Sequence, residues 1–176
     1  KVPNYAVKEI YFDYFTKIIN DTAEFDSIEV ETAVVEILKE GKINNFVKKI
    51  EETLAALSNR DYIKFDEKYI KLLFFSYLNL TKLSLVKSEY EVENGYIDIF
   101  LKRRDKKNTN YDALIELKYI KQKDYDNQGE SLVEAKILEA KDQLLRYTEA
   151  EEFNKKSDLK KWAVVFVGDK AKIKEL

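Results

Sequence analysis

The sequence predicts an α/β fold: a helix, three antiparallel strands, a crossover helix and a strand in one mixed sheet, preceded by a helical segment. Three observations predict this class. Apolar residues in the first 60 positions recur every three or four residues, as they do on one face of a helix. Three later runs alternate or are continuously apolar, which is typical of strands. A long helical pattern then precedes a last apolar run, as in a crossover connection.

The first part of the chain, residues 1–60, is predicted to be helical. Pro3-Asn4 is a helix-start signal, and an apolar face continues from there to Ile18. A second helix is expected at residues 29–40, ending at Gly41, and a third carries apolar residues from position 43 to 57. We interpret residues 1–60 as a helical linker segment that follows an upstream region of a larger protein.

The second part, residues 61–176, is predicted to be the α/β domain. It begins with a strongly apolar helix at residues 66–80, a pattern that indicates burial on most sides. Glu93-Asn94-Gly95 marks a tight turn between the first two strands. The predicted strands and crossover helix, in chain order, are residues 83–92, 96–101, 113–120, 130–153 (the helix) and 162–167.

The composition excludes several kinds of catalytic site. The 176 residues are 45% hydrophobic and 36% charged, with a net charge of −2, as in a soluble globular protein without a membrane segment. The chain has no Cys and no His, which excludes thiolate zinc sites, cysteine nucleophiles and histidine triads. Any catalysis must therefore use carboxylates, Lys, Tyr, Ser/Thr or a hard cation held by oxygen ligands.

Acidic residues interrupt two of the apolar strands. The connecting loop is centred near residue 107, so a symmetric hairpin places Asp98 across from Glu116, with Cβ atoms ~4.5–5.5 Å apart. Strand alternation puts Lys118 on the same face as Glu116. Two carboxylates this close repel each other unless a cation lies between them. The pattern predicts a Mg²⁺ or Mn²⁺ site completed by a backbone carbonyl, with Lys118 orienting a water molecule and offsetting charge on phosphorus.

The same residues are also compatible with an ordinary charged hairpin, in which Glu and Lys alternate on a solvated strand face. The basic loop at residues 102–107 is open to two interpretations as well. Arg103 and Arg104 could contact a phosphate backbone, or the loop could be a solvated tip whose charge discourages edge pairing. Lys121, just after the third predicted strand, extends the basic character toward a possible substrate channel.

Gly95-Tyr96-Ile97-Asp98, followed by Ile115-Glu116-Leu117-Lys118 within this order of elements, resembles the restriction-endonuclease-like PD-(D/E)XK nuclease superfamily. Ile97 stands where the motif has proline. In particular, the chain is similar to the nuclease-like domain found C-terminal to an AAA-ATPase-like domain in bacterial proteins. Val2-Pro3-Asn4 resembles the segment that joins those two domains, and the Gln143–Tyr147 spacing resembles the Gln-x-x-x-Tyr of the crossover helix.

The resemblance implies a magnesium-dependent nuclease fold. It assigns Asp98 and Glu116 to the metal, the Leu117 carbonyl as a further ligand and Lys118 as the catalytic lysine. Glu67, in the first turn of its helix, matches an acid that contacts the metal or water in some members. Its alternative role is to stabilise the helix dipole.

Two residues of the crossover helix are further candidates for substrate binding. Gln143 and Tyr147 lie four positions apart on one helix face and could reach the site or a substrate phosphate. Tyr147 could equally be a core tyrosine beside a polar neighbour.

These observations lead to two functional hypotheses from different classes. The first is a cytoplasmic nuclease that hydrolyses DNA, or less favourably RNA, with Mg²⁺ or Mn²⁺, in the same chain as an upstream ATPase-like domain. The alternative is a non-catalytic module of the same fold that binds nucleic acid or protein and regulates the fused ATPase.

Overall fold

The computed structural model describes residues 26–57, 65–93, 95–149 and 151–176. The helix predicted to start at Pro3 and the boundary predicted between residues 60 and 61 lie outside these ranges. Two helices precede the sheet: α1 (Ser27–Glu40) and α2 (Asn44–Ala55). The Asp26 carboxylate accepts hydrogen bonds from two backbone N–H groups of the first turn of α1, and Gly41 ends the helix with φ 67°, as predicted.

A five-stranded mixed sheet forms the centre of the α/β part, which confirms the predicted fold class. The strands follow chain order; β3 and β4 pair in parallel and all other neighbours are antiparallel. The crossover between β3 and β4 is helical, as a parallel connection requires. The elements are α3 (Glu67–Leu78), β1 (Ser84–Val92), β2 (Gly95–Arg103), β3 (Asp112–Ile120), α4 (Gln122–Gln128), α5 (Glu130–Thr148), α6 (Glu151–Asn154), β4 (Leu159–Val167) and β5 (Lys170–Glu175).

Three elements differ from the sequence-based expectation. The predicted crossover helix at residues 130–153 is two helices, because α5 ends at Thr148 and the short α6 follows. Helix α4 was not predicted, and none of its seven residues is buried, so it has no apolar period. Edge strand β5 was not predicted either, because charged residues occupy four of its six positions; only Ala171 and Ile173 pack against the core.

The two faces of the sheet are covered by different helices. Helices α1, α2 and α3 pack on one face, where Trp162 and Phe166 of β4 lie in the larger apolar cluster. Helix α5 packs on the other face through Ala140 and Leu144. Among the described residues, no helix is both long enough and apolar enough to cross a membrane. Because both faces are covered, any charged strand residue near the middle of the sheet is buried.

Candidate active site

Strands β2 and β3 pair in the predicted antiparallel register. The Cα partners Ile99 and Ile115 are symmetric about residue 107, and the next pair in this register is Asp98 with Glu116. The ladder ends before that pair. Instead, Asp98 Oδ2 accepts a hydrogen bond from the Leu117 backbone N–H at 2.8 Å. The strands therefore separate at Asp98, and its carboxylate lies in the gap between them.

An irregularity shared by β1 and β2 directs Asp98 into this gap. In a regular strand Ile97 and Ile99 would face the same side, but Ile99 packs on the α1–α3 face and Ile97 on the α5 face. Opposite Asp98 in β1, Glu89 has φ 52°, a left-handed conformation that few non-glycine residues adopt. The register is the same on both sides of the irregularity, so the interruption is local.

The three residues of the predicted catalytic set are buried. Asp98 is 5% exposed, Glu116 2% and Lys118 8%. The alternative interpretation, a charged pair on a solvated strand face, is therefore wrong. Lys118 Nζ lies 3.2 Å from Glu116 Oε1. Glu116 Oε2 is buried and has no hydrogen-bond partner among the described residues, so one lone-pair-rich oxygen in this site is unsatisfied.

The charges in the gap change the protonation of Glu116 and Lys118. Burial, and then the charge of Asp98, raises the pKa of Glu116 to about 8, against the opposing effect of Lys118. Burial alone would lower the pKa of Lys118, but the surrounding carboxylates, Glu116 first and then Glu67 and Asp98, raise it above its ordinary value. In the metal-free protein Lys118 is thus a cation at neutral pH, and Glu116 holds its proton to unusually high pH.

A second lysine, which the sequence analysis missed, also lies in the acid cluster. Lys71 Nζ is 2.6 Å from Asp98 Oδ1, 2.8 Å from Glu89 Oε1 and 3.4 Å from Glu67 Oε1. Burial lowers the pKa of Lys71, but its hydrogen bonds and ion pairs with Asp98 and Glu89 outweigh this and raise it. A signal was available: Lys71 follows the predicted Glu67 by four positions, so both lie on one helix face. No sequence signal identified Glu89.

These lysines separate the acidic side chains. In the part of the chain that the structure describes, no group of three or more acidic side chains is arranged to hold a metal ion. On the α5 side Lys118 Nζ is also 3.7 Å from Glu139 Oε1, and Glu139 Oε2 is 2.6 Å from Lys136 Nζ. Neither α5 residue was predicted, because charged residues on an exposed helix face are ordinary.

Of the two residues predicted on α5, Gln143 and Tyr147, Tyr147 packs against the sheet near these acids. Tyr147 is buried, and a Cβ added to Gly95 would lie only 3.0 Å from its ring. Burial, followed by the charge of Glu116, raises the pKa of Tyr147. Gln143 Oε1 is buried without a hydrogen-bond partner in the described ranges. Contact of Gln143 with the acids stays a prediction.

The basic loop does not reach the acids. It follows the end of β2, and Asn110 N and Tyr111 N donate to Leu38 O at the end of α1, at 2.8 and 3.0 Å. The suggested substrate role of Arg103 is replaced by a structural one: its buried guanidinium pairs with Asp112 and donates to backbone carbonyls of the loop.

The two remaining basic candidates are exposed. Arg104 lies on the same loop, six residues beyond Asp98 along β2 and its continuation, which is the far side of the site. Lys121 lies directly after β3, three residues beyond Lys118, at the near end of the gap. The contact of either residue with substrate stays a prediction, and position favours Lys121.

Comparisons with known proteins identify the family. No curated protein matches the chain. The family model described as the PD-(D/E)XK nuclease superfamily matches residues 65–176, a range that begins two residues before α3. This range contains the acids, both lysines and all five strands described above. Nucleases of this superfamily typically use divalent metal ions. The chain belongs to the PD-(D/E)XK nuclease superfamily.

Proposed function

We propose that the protein hydrolyses phosphodiester bonds of DNA or RNA in the presence of Mg²⁺ or Mn²⁺. The observation that carries the proposal is Glu116 Oε2, a buried oxygen without a hydrogen-bond partner in the described structure. Leaving such a group unsatisfied costs about 1–3 kcal/mol, and more when it is charged. A site that only stabilised the fold would not need to keep this oxygen free beside Asp98. A cation bound to both carboxylates removes the cost and offsets their repulsion.

The donor set fits a hard divalent ion. Asp98 and Glu116 supply carboxylate oxygens, which Mg²⁺ prefers. A strand residue directs its N–H and C=O toward the same neighbour. Because the Leu117 N–H donates to Asp98, its carbonyl is directed to the same gap and is our third proposed ligand. Glu67, on the rim, is a further candidate. When bound, the ion supplies Lewis-acid polarisation of the phosphate and acidifies a bound water.

Lys118 is the proposed catalytic lysine. Its raised pKa makes it a poor proton acceptor at neutral pH, so it does not act as a general base in the free protein. A buried ammonium instead donates hydrogen bonds, and it can hold the attacking water or stabilise negative charge that develops on the phosphate. Glu116 fixes the ammonium at 3.2 Å, which limits the positions that this donor can take.

Helix α5 supplies the proposed substrate contacts. Gln143 presents an amide with an unsatisfied buried oxygen, and its NH₂ group is a donor suited to a phosphate oxygen. Tyr147, held against Gly95, can donate through its hydroxyl. Lys121, at the end of β3, would meet the continuing phosphate backbone.

The alternative is a non-catalytic module that binds nucleic acid or protein. One observation favours it: Lys71 and Lys118 already neutralise much of the acidic charge, so the site holds together without a metal. In both cases we propose that residues 1–60 link the domain at 61–176 to an upstream ATPase-like region, and that the protein acts in the cytoplasm.

Cleavage assays distinguish the two functions. We expect the protein to nick plasmid DNA, or to degrade single-stranded DNA or RNA, with Mn²⁺ or Mg²⁺ and not with chelator. Lys118→Met keeps the length of the side chain and removes the charge, and we expect it to lower the cleavage rate about 10²–10³-fold with nucleic-acid binding retained. Lys174→Met, an exposed change on β5, is the matched control and should cleave at the wild-type rate.

Two outcomes contradict the nuclease proposal. Cleavage by Lys118→Met at the wild-type rate would assign the activity to another site or a contaminant. Binding without cleavage of any of the three substrates, at every metal concentration, would favour the non-catalytic module.

A further inference from the structure

The one described ion pair of the Asp98 carboxylate is made by a lysine without an assigned role. Lys71 Nζ approaches Asp98 Oδ1 to 2.6 Å, closer than either of its other acidic partners, Glu89 and Glu67. Its side chain is only 18% exposed. The Lys71 ammonium is therefore held by three carboxylates and is largely shielded from solvent.

At Asp98, the Lys71 ammonium and a bound metal ion would have to share the same carboxylate oxygen. Oδ2 is committed to the Leu117 backbone N–H, which the sheet fixes, so Oδ1 is the freer oxygen. A magnesium ion lies about 2.0–2.1 Å from its oxygen ligands. If Lys71 stayed 2.6 Å from the same oxygen, the two cations would be separated by less than about 5 Å inside a mostly buried site. At that distance the two cations repel each other, which favours the departure of one of them from Asp98.

We propose that Lys71 is the resident cation of the acid cluster, and that a divalent ion enters by exchange with the Lys71 ammonium at Asp98. The inference rests on the proposed metal-dependent function. The other two acids give the ammonium a place to move to, because Glu89 is 55% exposed and Glu67 34% exposed, so both lie toward solvent. Lys71 has a flexible four-carbon stem and can keep these outer partners while it leaves Asp98.

The exchange has a consequence for metal affinity. Every divalent ion that binds must break the Lys71–Asp98 ion pair, so the affinity of the wild-type protein is lower than the acids alone would give. Removal of the Lys71 charge should therefore tighten metal binding. If Lys71 instead supported the metal site, for example by orienting Asp98, the same change should weaken binding. The sign of the effect decides between these roles.

The test measures Mn²⁺ binding to the whole protein without nucleic acid, by the electron paramagnetic resonance signal of free Mn²⁺. We expect Lys71→Met to lower the Kd by about tenfold or more, the change that corresponds to loss of one ordinary charge-assisted hydrogen bond. Lys71→Arg keeps the charge and should keep the weak affinity. Lys68→Met removes an exposed charge from the same helix, and it should change the Kd by less than about twofold.

The outcomes separate this proposal from the proposed function. An unchanged or higher Kd in Lys71→Met, with binding by the wild type, would overturn the exchange and leave the metal site in place. Absence of Mn²⁺ binding in the wild type and in Lys71→Met, up to millimolar concentrations, would overturn both. Tight binding by the variant and none by the wild type supports the exchange. If Lys71→Met does not fold, Lys71→Gln repeats the test with an amide that can still hydrogen-bond to the acids.

Discussion

Replacement of Glu116 by Gln should stabilise the metal-free protein, and the gain should depend on pH. In the unfolded chain Glu116 ionises near its ordinary pKa of 4.5, whereas in the fold its pKa is about 8. Between these values the folded protein holds a proton that the unfolded chain has released. The free energy of unfolding of the wild type therefore falls as pH rises from about 4.5 to about 8.

The size of the effect follows from the same two pKa values. A pKa difference of one unit between the folded and unfolded states corresponds to ~1.36 kcal/mol of stability. The difference between 4.5 and about 8 therefore lowers the free energy of unfolding by at most about 5 kcal/mol. Gln does not titrate and has a similar shape. We expect the unfolding free energies of Glu116→Gln and wild type to differ least below pH 4.5. The advantage of the variant should then grow by several kcal/mol up to pH 8 and level off.

Urea unfolding with chelator at pH 4.5, 6, 7 and 8 measures this difference directly. Titration of the remaining groups largely cancels, because both proteins share them. Glu31→Gln, an exposed change on α1, is the control and should give a difference of less than about 0.5 kcal/mol at each pH. A pH-independent difference for Glu116→Gln, or a wild type that is more stable at pH 8, would refute the electrostatic account of the site.

Two further predictions concern the framework of the site. Arg103→Met should lower the free energy of unfolding by about 3 kcal/mol, because it leaves the buried Asp112 carboxylate with a single lysine. The control, Arg104→Met, changes an exposed neighbour and should lower it by less than about 0.5 kcal/mol. Equal effects of the two changes in urea unfolding would contradict the structural role of Arg103. Gly95→Ala should cost about 1–3 kcal/mol, since its φ is 141° and its Cβ would press on the Tyr147 ring at 3.0 Å. Gly129→Ala, with φ 65° and no described atom within 4 Å, controls for backbone strain alone and should cost less.

The sequence predicts the centre of this fold better than its margins. Strands with continuous apolar runs were identified because burial on both faces requires them. The register of β2 and β3 followed from the symmetry of one loop, since the side-chain period of a strand is two. Edge strand β5 was not predicted, because a strand that buries only Ala171 and Ile173 needs no apolar run.

The residues of the candidate site that follow regular strand alternation could be predicted from the sequence. Those that depend on an interruption of this alternation could not. Glu116 and Lys118 follow the regular pleat of β3. Asp98 reaches the gap only because β1 and β2 share an irregularity with Glu89 at φ 52°, and no residue type signals that conformation. Lys71 depends on how α3 lies across the sheet, which is a tertiary fact. Helical spacing relates it to Glu67 but does not show which acid it contacts.

The two buried charge clusters described above differ in how completely their polar groups are paired. The Arg103 cluster is buried too, but each of its charged groups has a partner: the guanidinium contacts Asp112, Asp158 and two backbone carbonyls. That is how a fold satisfies buried charge when stability is the only requirement. In the gap between β2 and β3 the same fold leaves Glu116 Oε2 without a described hydrogen-bond partner. A buried carboxyl oxygen without a partner lowers the stability of a protein, and we infer that its presence beside two lysines prepares the site for a further ligand.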